Sequence, residues 1–247
     1  MLAIIGGSGL YSLGDDFELE EQVSRSTPFG ETSTDVLQGR WHDVPLAFLP
    51  RHGPDHKVPP HRVNYRANIW ALKQLGVTQI IAVNAVGGIT PDSPPLMLVL
   101  PDQIIDYSSG REHTFFDGDD GRVIHVDFSW PYSAELRGVL MEAGLQQGQP
   151  LLAAATYGST NGPRLESAAE ITRLQQDGCN VVGMTGMPEA ALARELEIDY
   201  ACLALVVNWA AGTADETISM QEIMANVEQG MHRVKSLLLA ATRLLRP

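Results

Sequence analysis

The hydrophobic positions of this chain fall into short continuous runs separated by segments with helical spacing. Continuous apolar runs that end in glycine or polar residues are typical of strands buried on both faces of a sheet. Five segments have this pattern: LAII after Met1, PLAFLP over 45–50, TQIIAVNAVGG over 78–88, NVVGM over 180–184 and YACLALVVN over 200–208. We therefore predict that these segments are strands.

Three other segments have the spacing of helices. Apolar residues recur at helical intervals over 64–75, where a proline pair precedes the segment and Gly76 ends it. The segment 187–196 lies between the last two predicted strands and has a proline in its first turn. The final segment begins at Ser219 with Glu222 three residues later, which is the spacing of a capping box.

The alternation of strands and helices predicts an α/β fold class with a largely parallel or mixed central sheet flanked by helices. The polar stretches 15–35 and 111–120 are expected to be loops or a hairpin on that frame. No linker, repeat or low-complexity segment divides the 247 residues, so a single domain over 1–247 is expected. Because ligands bind at the carboxyl ends of strands in such sheets, the residues after each run are the candidates for chemistry.

Composition argues against several classes of function. A net charge of −13 disfavours a nucleic-acid backbone as partner. No apolar stretch is long enough for a membrane span, and a signal peptide is not expected, because no basic residues precede the few apolar ones at the N-terminus. Cys179 and Cys202 fit no metal spacing or disulfide framework, which predicts reduced side chains in the cytoplasm.

The first run ends in the cluster Gly6-Gly7-Ser8-Gly9, whose amide groups can bind an anion. The segment 7–12 nearly matches the dinucleotide fingerprint G-x-G-x-x-G, but Ser12 replaces the third glycine. No G-K-[ST] of a P-loop follows either. A non-catalytic Rossmann-type nucleotide-binding module is therefore the weaker hypothesis, and a small tetrahedral anion is the stronger one.

Polar residues also follow the other predicted strands. Arg51 and His52 come directly after the second run, and arginine offers a planar fork that matches phosphate oxygens. Thr185 follows the fourth run, where a simple helix cap is the alternative role. Taken together, the strand ends predict a pocket for one free phosphate, lined by Ser8, Arg51, His52, Asn84, Ala85 and Thr185.

Two further polar residues are candidates for ligand contacts. Glu166 follows TNGPRL, and Asn208 ends the apolar run LALVV. A buried carboxylate or amide is costly without a partner. Each residue is therefore interpreted either as a ligand contact or as a solvated loop position.

These motifs resemble those of the trimeric purine nucleoside phosphorylases. GGSGL, RHG, NAVGGI, GPRLES and GMTGMPEAALARE occur in the order of that family, and VNYRANIWALK is especially similar to its methylthioadenosine branch. The resemblance covers nearly the whole chain and implies a single α/β domain and a homotrimer. It also implies reversible phosphorolysis of a nucleoside to a free base and a sugar 1-phosphate. No cofactor is implied, since inorganic phosphate is a co-substrate.

The resemblance implies a role for each candidate residue. The strand-end residues listed above match the phosphate site, and Met184 matches the residue that packs on the ribose. Asn208 and Glu166 match the base-binding positions. In the implied mechanism, phosphate stabilises an oxocarbenium-like sugar while Asn208 and Glu166 stabilise the leaving purine. The expected catalytic residues are therefore Asn208, Glu166 and His52, without a protein nucleophile.

At the base end the chain departs from the methylthioadenosine branch. That branch has Asp-x-Asp where this chain has Asn208 and Ala210, and a small hydroxyl residue where it has Glu166. The pair of Asn and Glu resembles phosphorylases of 6-oxopurines, whose ring N–H donates to a carboxylate and whose carbonyl accepts from an amide. Adenine would oppose a ring lone pair to that carboxylate, a mismatch of about 1–3 kcal/mol or more.

At the sugar end, the chain differs from the inosine–guanosine enzymes of the family. Those enzymes have a histidine near the start of the last helix that binds the 5′-hydroxyl, and this chain has Met220 there, with Ile223 and Met224 one turn later. The three apolar side chains suit a thioether, with core packing as the alternative. His125 is similar in position to a histidine that reaches the 5′ group from a neighbouring subunit.

The nucleoside that meets both conditions is 5′-methylthioinosine, which would give hypoxanthine and 5-methylthioribose 1-phosphate. Methylthioadenosine phosphorolysis and general inosine–guanosine phosphorolysis are the alternatives within the family.

Overall fold

A computed structural model of the chain describes residues 1–24, 26–118, 121–214 and 218–245. The helices in these ranges are α1 (Tyr65–Gln74), α2 (Ala134–Gln146), α3 (Ala168–Gln176), α4 (Glu189–Glu195) and α5 (Met220–Leu244), with a short 3₁₀ helix over Pro60–Arg62. The strands are β1 (Leu2–Gly6), β2 (Phe17–Val23), β3 (Ser26–Thr27), β4 (Gly30–Glu31), β5 (Val36–Trp41), β6 (Val44–Pro50), β7 (Gln79–Gly88), β8 (Leu98–Val99), β9 (Gln103–Asp106), β10 (Leu151–Leu152), β11 (Thr156–Ser159), β12 (Val181–Gly183) and β13 (Asp199–Trp209).

The predicted α/β class with a mixed central sheet is confirmed. Within the described residues, eleven strands form one sheet with the path β10-β8-β13-β7-β1-β6-β5-β2, and β12, β11 and β9 branch from β7. The centre is parallel, from β6 through β1 and β7 to β13. Antiparallel pairs join β5 to β6, β2 to β5 and β12 to β7.

Hydrophobic cores cover both faces of the sheet, as expected for strands that are apolar at every position. In β1, Ala3 and Ile5 face one core, which includes residues of α1 and α4, while Leu2 and Ile4 face the other, which includes residues of α2 and α5. Among the described residues, no helix combines the length and apolar character required to cross a membrane.

All five predicted strands are present, and the predicted helices correspond to α1, α4 and α5. Asn64 caps α1, and Ser219 caps α5 by accepting the N–H of Glu222. The reciprocal capping box forms instead at α3, between Ser167 and Glu170. The stretch 15–35 contains the exposed strand β2 and the β3–β4 hairpin, while the described part of 111–120 is irregular and residues 119 and 120 lie outside the described residues.

The glycine cluster after β1 permits a close approach between strand ends. A Cβ atom on Gly7 would lie 2.4 Å from the carbonyl oxygen of Val83 and 3.1 Å from Nη1 of Arg51. Gly9 has a φ of +85°, and a Cβ there would lie 2.3 Å from Val227 of α5. These glycines are therefore required because neighbouring atoms occupy the space of a side chain.

We predict that Gly7→Ala destabilises the protein by about 1–3 kcal/mol, because the added methyl group must displace backbone of β7. Urea unfolding of purified protein measures this change. Gly138→Ala is the matched control, since a Cβ at this position of α2 meets no atom within 4 Å. That control should be neutral or stabilising by up to about 1 kcal/mol. Equal stability of the two variants would contradict the close approach.

Candidate active site

The antiparallel strand β12 brings Thr185 against β7. Val182 pairs with Gly87, so the chain that continues beyond β12 runs back along β7 toward Asn84. Asn84 Nδ2 donates a hydrogen bond of 2.7 Å to Thr185 Oγ1. Asn84 and Ala85 were expected after the third strand, but they lie within β7, which continues to Gly88. Both still lie beyond the end of β1, because the pairing of β1 with β7 ends at Ala82. Two of the predicted phosphate residues are therefore in direct contact.

Arg51 lies at the end of β6, completely buried, and pairs with Glu189 at the start of α4. Its Nε and Nη2 each donate to one carboxylate oxygen of Glu189 at 2.7 Å, and Nη1 donates to the carbonyl of Val83 at 3.1 Å. Burial alone would lower the pKa of Arg51, but the charge and hydrogen bonds of Glu189 raise that pKa above its usual value. The guanidinium is thus charged and fixed beside Gly7.

His52 is buried and neutral. Its Nδ1 lies 2.7 Å from the carbonyl oxygen of Val58, which can only accept, so Nδ1 carries the proton and Nε2 is an acceptor. Burial, followed by the charge of Arg51, lowers the pKa of His52 to about 4. The ring of His56 lies 4.7 Å away, centroid to centroid.

Buried side chains hold Asn84 on its other sides. Its Oδ1 accepts from Cys202 Sγ at 3.5 Å, and its Nδ2 is 3.4 Å from the hydroxyl of Tyr157. Burial raises the pKa of Tyr157 to about 12 and that of the Cys202 thiol above its usual value. Both groups are therefore neutral, and the amide of Asn84 orients the Thr185 hydroxyl.

Glu166 and Met184 both contact the loop that follows β11. Glu166 Oε1 accepts a 2.6 Å hydrogen bond from Thr160 Oγ1, and the backbone N–H of Thr160 donates to Gly183 at 2.8 Å. Met184 packs on the same loop, because its Sδ lies 2.3 Å from the position of a Cβ on Gly162. Thr160, Gly162 and Glu166 line a cleft of about 530 Å³.

Asn208 lies at the end of β13, near the segment that follows Glu166. The β13–β7 register shifts between Val206 and Asn208, and Asn208 Nδ2 donates to the carbonyl of Trp209 at 2.7 Å. The following turn contacts the start of α3, since a Cβ on Gly212 would lie 2.6 Å from Cβ of Ala168. Ala210 is buried against Gly87 and Val182.

The apolar residues predicted at the sugar end lie in the first turns of α5. Met220 and Met224 are 64% and 56% exposed, while Ile223 packs against the core. Met224 and Gly9 line a second cleft of about 590 Å³, on the α5 side of the Ser8 turn. His125 is exposed in an irregular stretch, and within the described residues no hydrogen bond joins it to the other candidates.

The sequence-based predictions missed Glu189 and Arg111. In the sequence, Glu189 is only an acidic residue in the first turn of a helix, where it is favourable for the helix dipole, and nothing there indicates that it pairs with Arg51. Arg111 lies over the ring of Tyr65 at 5.3 Å and donates to the carbonyls of Met187 and Asn161. It thereby ties the loop that carries Glu166 to the start of α4. No sequence pattern distinguishes Arg111 from the other polar residues of the stretch 111–120.

In the described ranges, no cluster of three or more His, Cys, Asp or Glu side chains could hold a metal ion. The arrangement instead combines hydroxyl, guanidinium and backbone groups at parallel strand ends, with a carboxylate and an amide farther along the same edge. Such a set can bind a tetrahedral anion next to a polar heterocycle.

The chain belongs to the phosphorylase superfamily, whose family model matches residues 2–243. A relative from Pseudomonas syringae pv. tomato, named probable S-methyl-5′-thioinosine phosphorylase, is 51% identical over 236 residues, which are 96% of each chain. The 6-oxopurine nucleoside phosphorylase of Pyrococcus furiosus is 45% identical over 249 residues, covering 99% of this chain and 92% of that one.

Among solved structures, methylthioadenosine phosphorylase from Schistosoma mansoni in complex with adenine superposes with a TM-score of 0.93 at 32% identity. The superposition covers 99% of this chain and 91% of that one. The predicted family and the predicted class, an enzyme of the nucleoside phosphorylase type, are confirmed by these relatives. The roles of individual residues stay predictions.

The neutral state of His52 predicts a pH dependence of stability. Its pKa is about 4 in the folded protein against an ordinary 6.5, so the unfolded chain binds a proton that the folded protein excludes. The stabilisation is complete above pH 6.5 and is lost as the pH falls toward 4. The difference between 6.5 and about 4 corresponds to about 3 kcal/mol over the whole range.

His52→Gln keeps a donor for the Val58 carbonyl but cannot titrate. The loss of unfolding free energy between pH 7.5 and 4.5 should therefore be smaller in this variant than in the parent, by roughly 1–3 kcal/mol. Urea unfolding at a series of pH values measures the difference, with the exposed His113→Gln as control. Parallel pH curves for His52→Gln and the parent would show that His52 does not exclude the proton.

Proposed function

We propose that this protein catalyses the phosphorolysis of S-methyl-5′-thioinosine to hypoxanthine and 5-methylthioribose 1-phosphate. The observation that carries the choice of base is the pair of Glu166 and Asn208, an acceptor and a donor on adjoining segments of one sheet edge. The relatives named S-methyl-5′-thioinosine phosphorylase and 6-oxopurine nucleoside phosphorylase support the same choice.

Inorganic phosphate binds at the strand ends. Of the five N–H groups of the Arg51 guanidinium, three serve Glu189 and Val83, which leaves donors for a phosphate oxygen. Asn84 orients the Thr185 hydroxyl, and Gly7, the neighbour of Ser8, approaches Val83 and Arg51. The proposed phosphate contacts are Ser8, Arg51, His52, Asn84, Ala85 and Thr185.

Phosphate acts both as nucleophile and as counter-charge. As the glycosidic bond lengthens, positive charge develops on the sugar, and the phosphate held below the anomeric carbon stabilises it. The purine leaves with the bonding electrons and takes up a proton, which balances the proton that hydrogen phosphate loses when its oxygen bonds to the sugar. The proposed reaction needs neither a protein nucleophile nor a cofactor.

The proposed base contacts use the donor and acceptor groups of Glu166 and Asn208 that have no hydrogen-bond partner within the described residues. Thr160 occupies one oxygen of Glu166, so the other can accept N1–H of hypoxanthine. Asn208 uses one N–H on the Trp209 carbonyl, and its second can donate to O6 or N7. Adenine has no N1–H, so its ring lone pair would face the carboxylate.

Residues from two segments contact the sugar. Met184 packs on the ribose, and Met220, Ile223 and Met224 accept the 5′-methylthio group. In the proposed homotrimer, His125 reaches this group from a neighbouring subunit, as its exposed position permits. The reduced cysteines Cys179 and Cys202 support a cytoplasmic location.

A general 6-oxopurine nucleoside phosphorylase is the second candidate, which the Pyrococcus furiosus relative favours. It shares the base contacts and differs only at the 5′ position. The structural similarity to the Schistosoma mansoni enzyme favours methylthioadenosine as a third possibility, which differs at the base.

The first test compares methylthioinosine with methylthioadenosine. Base release at saturating phosphate should be strong with the former and nearly absent with the latter, since a hydrogen-bond mismatch can discriminate by about 10⁴-fold. Asn208→Asp should narrow this difference, because a carboxyl group that shares a proton with N7 suits adenine better. Comparable cleavage of methylthioadenosine by the parent would favour the methylthioadenosine assignment.

The second test concerns the 5′ group. We expect kcat/KM for methylthioinosine to exceed that for inosine by roughly 10–200-fold, the range of an apolar pocket. Met220→His should shift the preference toward inosine by supplying a partner for the 5′-hydroxyl. Met141→His, at an exposed methionine of α2, is the control and should leave the ratio unchanged. Equal kcat/KM values in the parent would support the general 6-oxopurine phosphorylase.

A further inference from the structure

Glu189 is a buried carboxylate that the proposed reaction does not use directly. It accepts hydrogen bonds from Arg51 Nε and Nη2 at 2.7 Å and from the Tyr200 hydroxyl at 2.8 Å. Arg51 and Glu189 are completely buried, and Tyr200 is 2% exposed. The pair is bidentate, which fixes the plane of the guanidinium as well as its position.

The charges around Arg51 cancel. Glu189 supplies the opposite charge, and the pKa of His52, lowered to about 4, leaves that ring neutral at pH 7. Burial raises the pKa of Tyr200 well above its usual value, and the nearby Glu189 carboxylate raises it further, so its hydroxyl keeps its proton. The cluster at the end of β6 therefore carries no net positive charge, although it contains an arginine.

We propose that Glu189 is a positioning residue that sets the charge of the phosphate site: it orients Arg51 as a hydrogen-bond donor and cancels its charge. Phosphate is then held by directed hydrogen bonds, while its own negative charge stays available to the sugar. This inference rests on the proposed function, since it assumes that the anion at the strand ends is the reacting phosphate.

The advantage of cancellation lies in the transition state. An unpaired Arg51 would bind phosphate more tightly in the ground state and draw its charge away from the developing sugar cation. Binding that is stronger before the reaction than in its transition state lowers KM and lowers kcat as well. When Arg51 is paired with Glu189, its guanidinium keeps a fixed orientation toward phosphate but does not bind phosphate too tightly in the ground state.

The test is Glu189→Gln, which keeps the shape of the side chain and removes its charge. We expect KM for phosphate to fall by about tenfold, equivalent to ~1.4 kcal/mol, and kcat to fall with it. Without phosphate the variant should be less stable than the parent, because a buried Arg51 then lacks its counter-charge. Added inorganic phosphate should raise its Tm by roughly twice as much as it raises that of the parent.

Two variants separate charge from packing. Tyr200→Phe removes a buried hydrogen bond to Glu189 without changing any charge, so KM for phosphate should stay within about twofold of the parent value. Glu189→Asp keeps the charge but shortens the reach, so kcat should fall while KM for phosphate does not. An equal drop in KM for Tyr200→Phe and Glu189→Gln would overturn the proposal.

Solubility and stability provide a second, independent readout. If Glu189→Gln is insoluble without phosphate, rescue by phosphate during purification supports the proposal, and insolubility at every phosphate concentration contradicts it. An unchanged KM with an equal phosphate-induced Tm gain in variant and parent would show a purely structural role. The Tm measurement needs no nucleoside, so failure of the parent to release any base would refute the proposed function without deciding the role of Glu189.

Discussion

The buried pair of Arg51 and Glu189 is the interaction on which this end of the molecule depends. It joins the end of β6 to the start of α4 and, through Tyr200, to β13. Loss of one member of a buried ion pair costs about 3–5 kcal/mol, because the remaining charge is left without water or partner. One ion pair therefore links the positions of β6, α4 and β13.

The antiparallel strand β12 adds the second part of this arrangement. In a purely parallel sheet, the residues after each strand would all continue away from the edge. Because β12 runs opposite to β7, the chain beyond it returns along β7 and brings Thr185 to Asn84. Arg111 then joins the returning segment to the loop after β11, because it donates hydrogen bonds to the carbonyls of Met187 and Asn161.

Patterns within short stretches of sequence predicted the parts of the structure that depend on local chemistry. Apolar runs predicted the strands. The positions of Ser8, Arg51 and Thr185 directly after these runs predicted that they lie at strand ends. The same reasoning missed α2 and α3, and α3 buries only Ile171 and Leu174, a weak periodic signal. It also missed the partner of Arg51, because Glu189 lies 138 residues away and only the folded sheet brings the two together.

The proposed base contacts and the proposed sugar contacts lie on separate segments of the chain. Glu166 lies on the loop before α3, beside the end of β13, whereas Met220, Ile223 and Met224 lie in the first turns of α5. The proposed phosphate contacts lie after β1, after β6, within β7 and after β12. Because the three sets of proposed contacts lie on separate segments, a substitution at the base end or the sugar end can change which nucleoside is bound without altering the phosphate contacts.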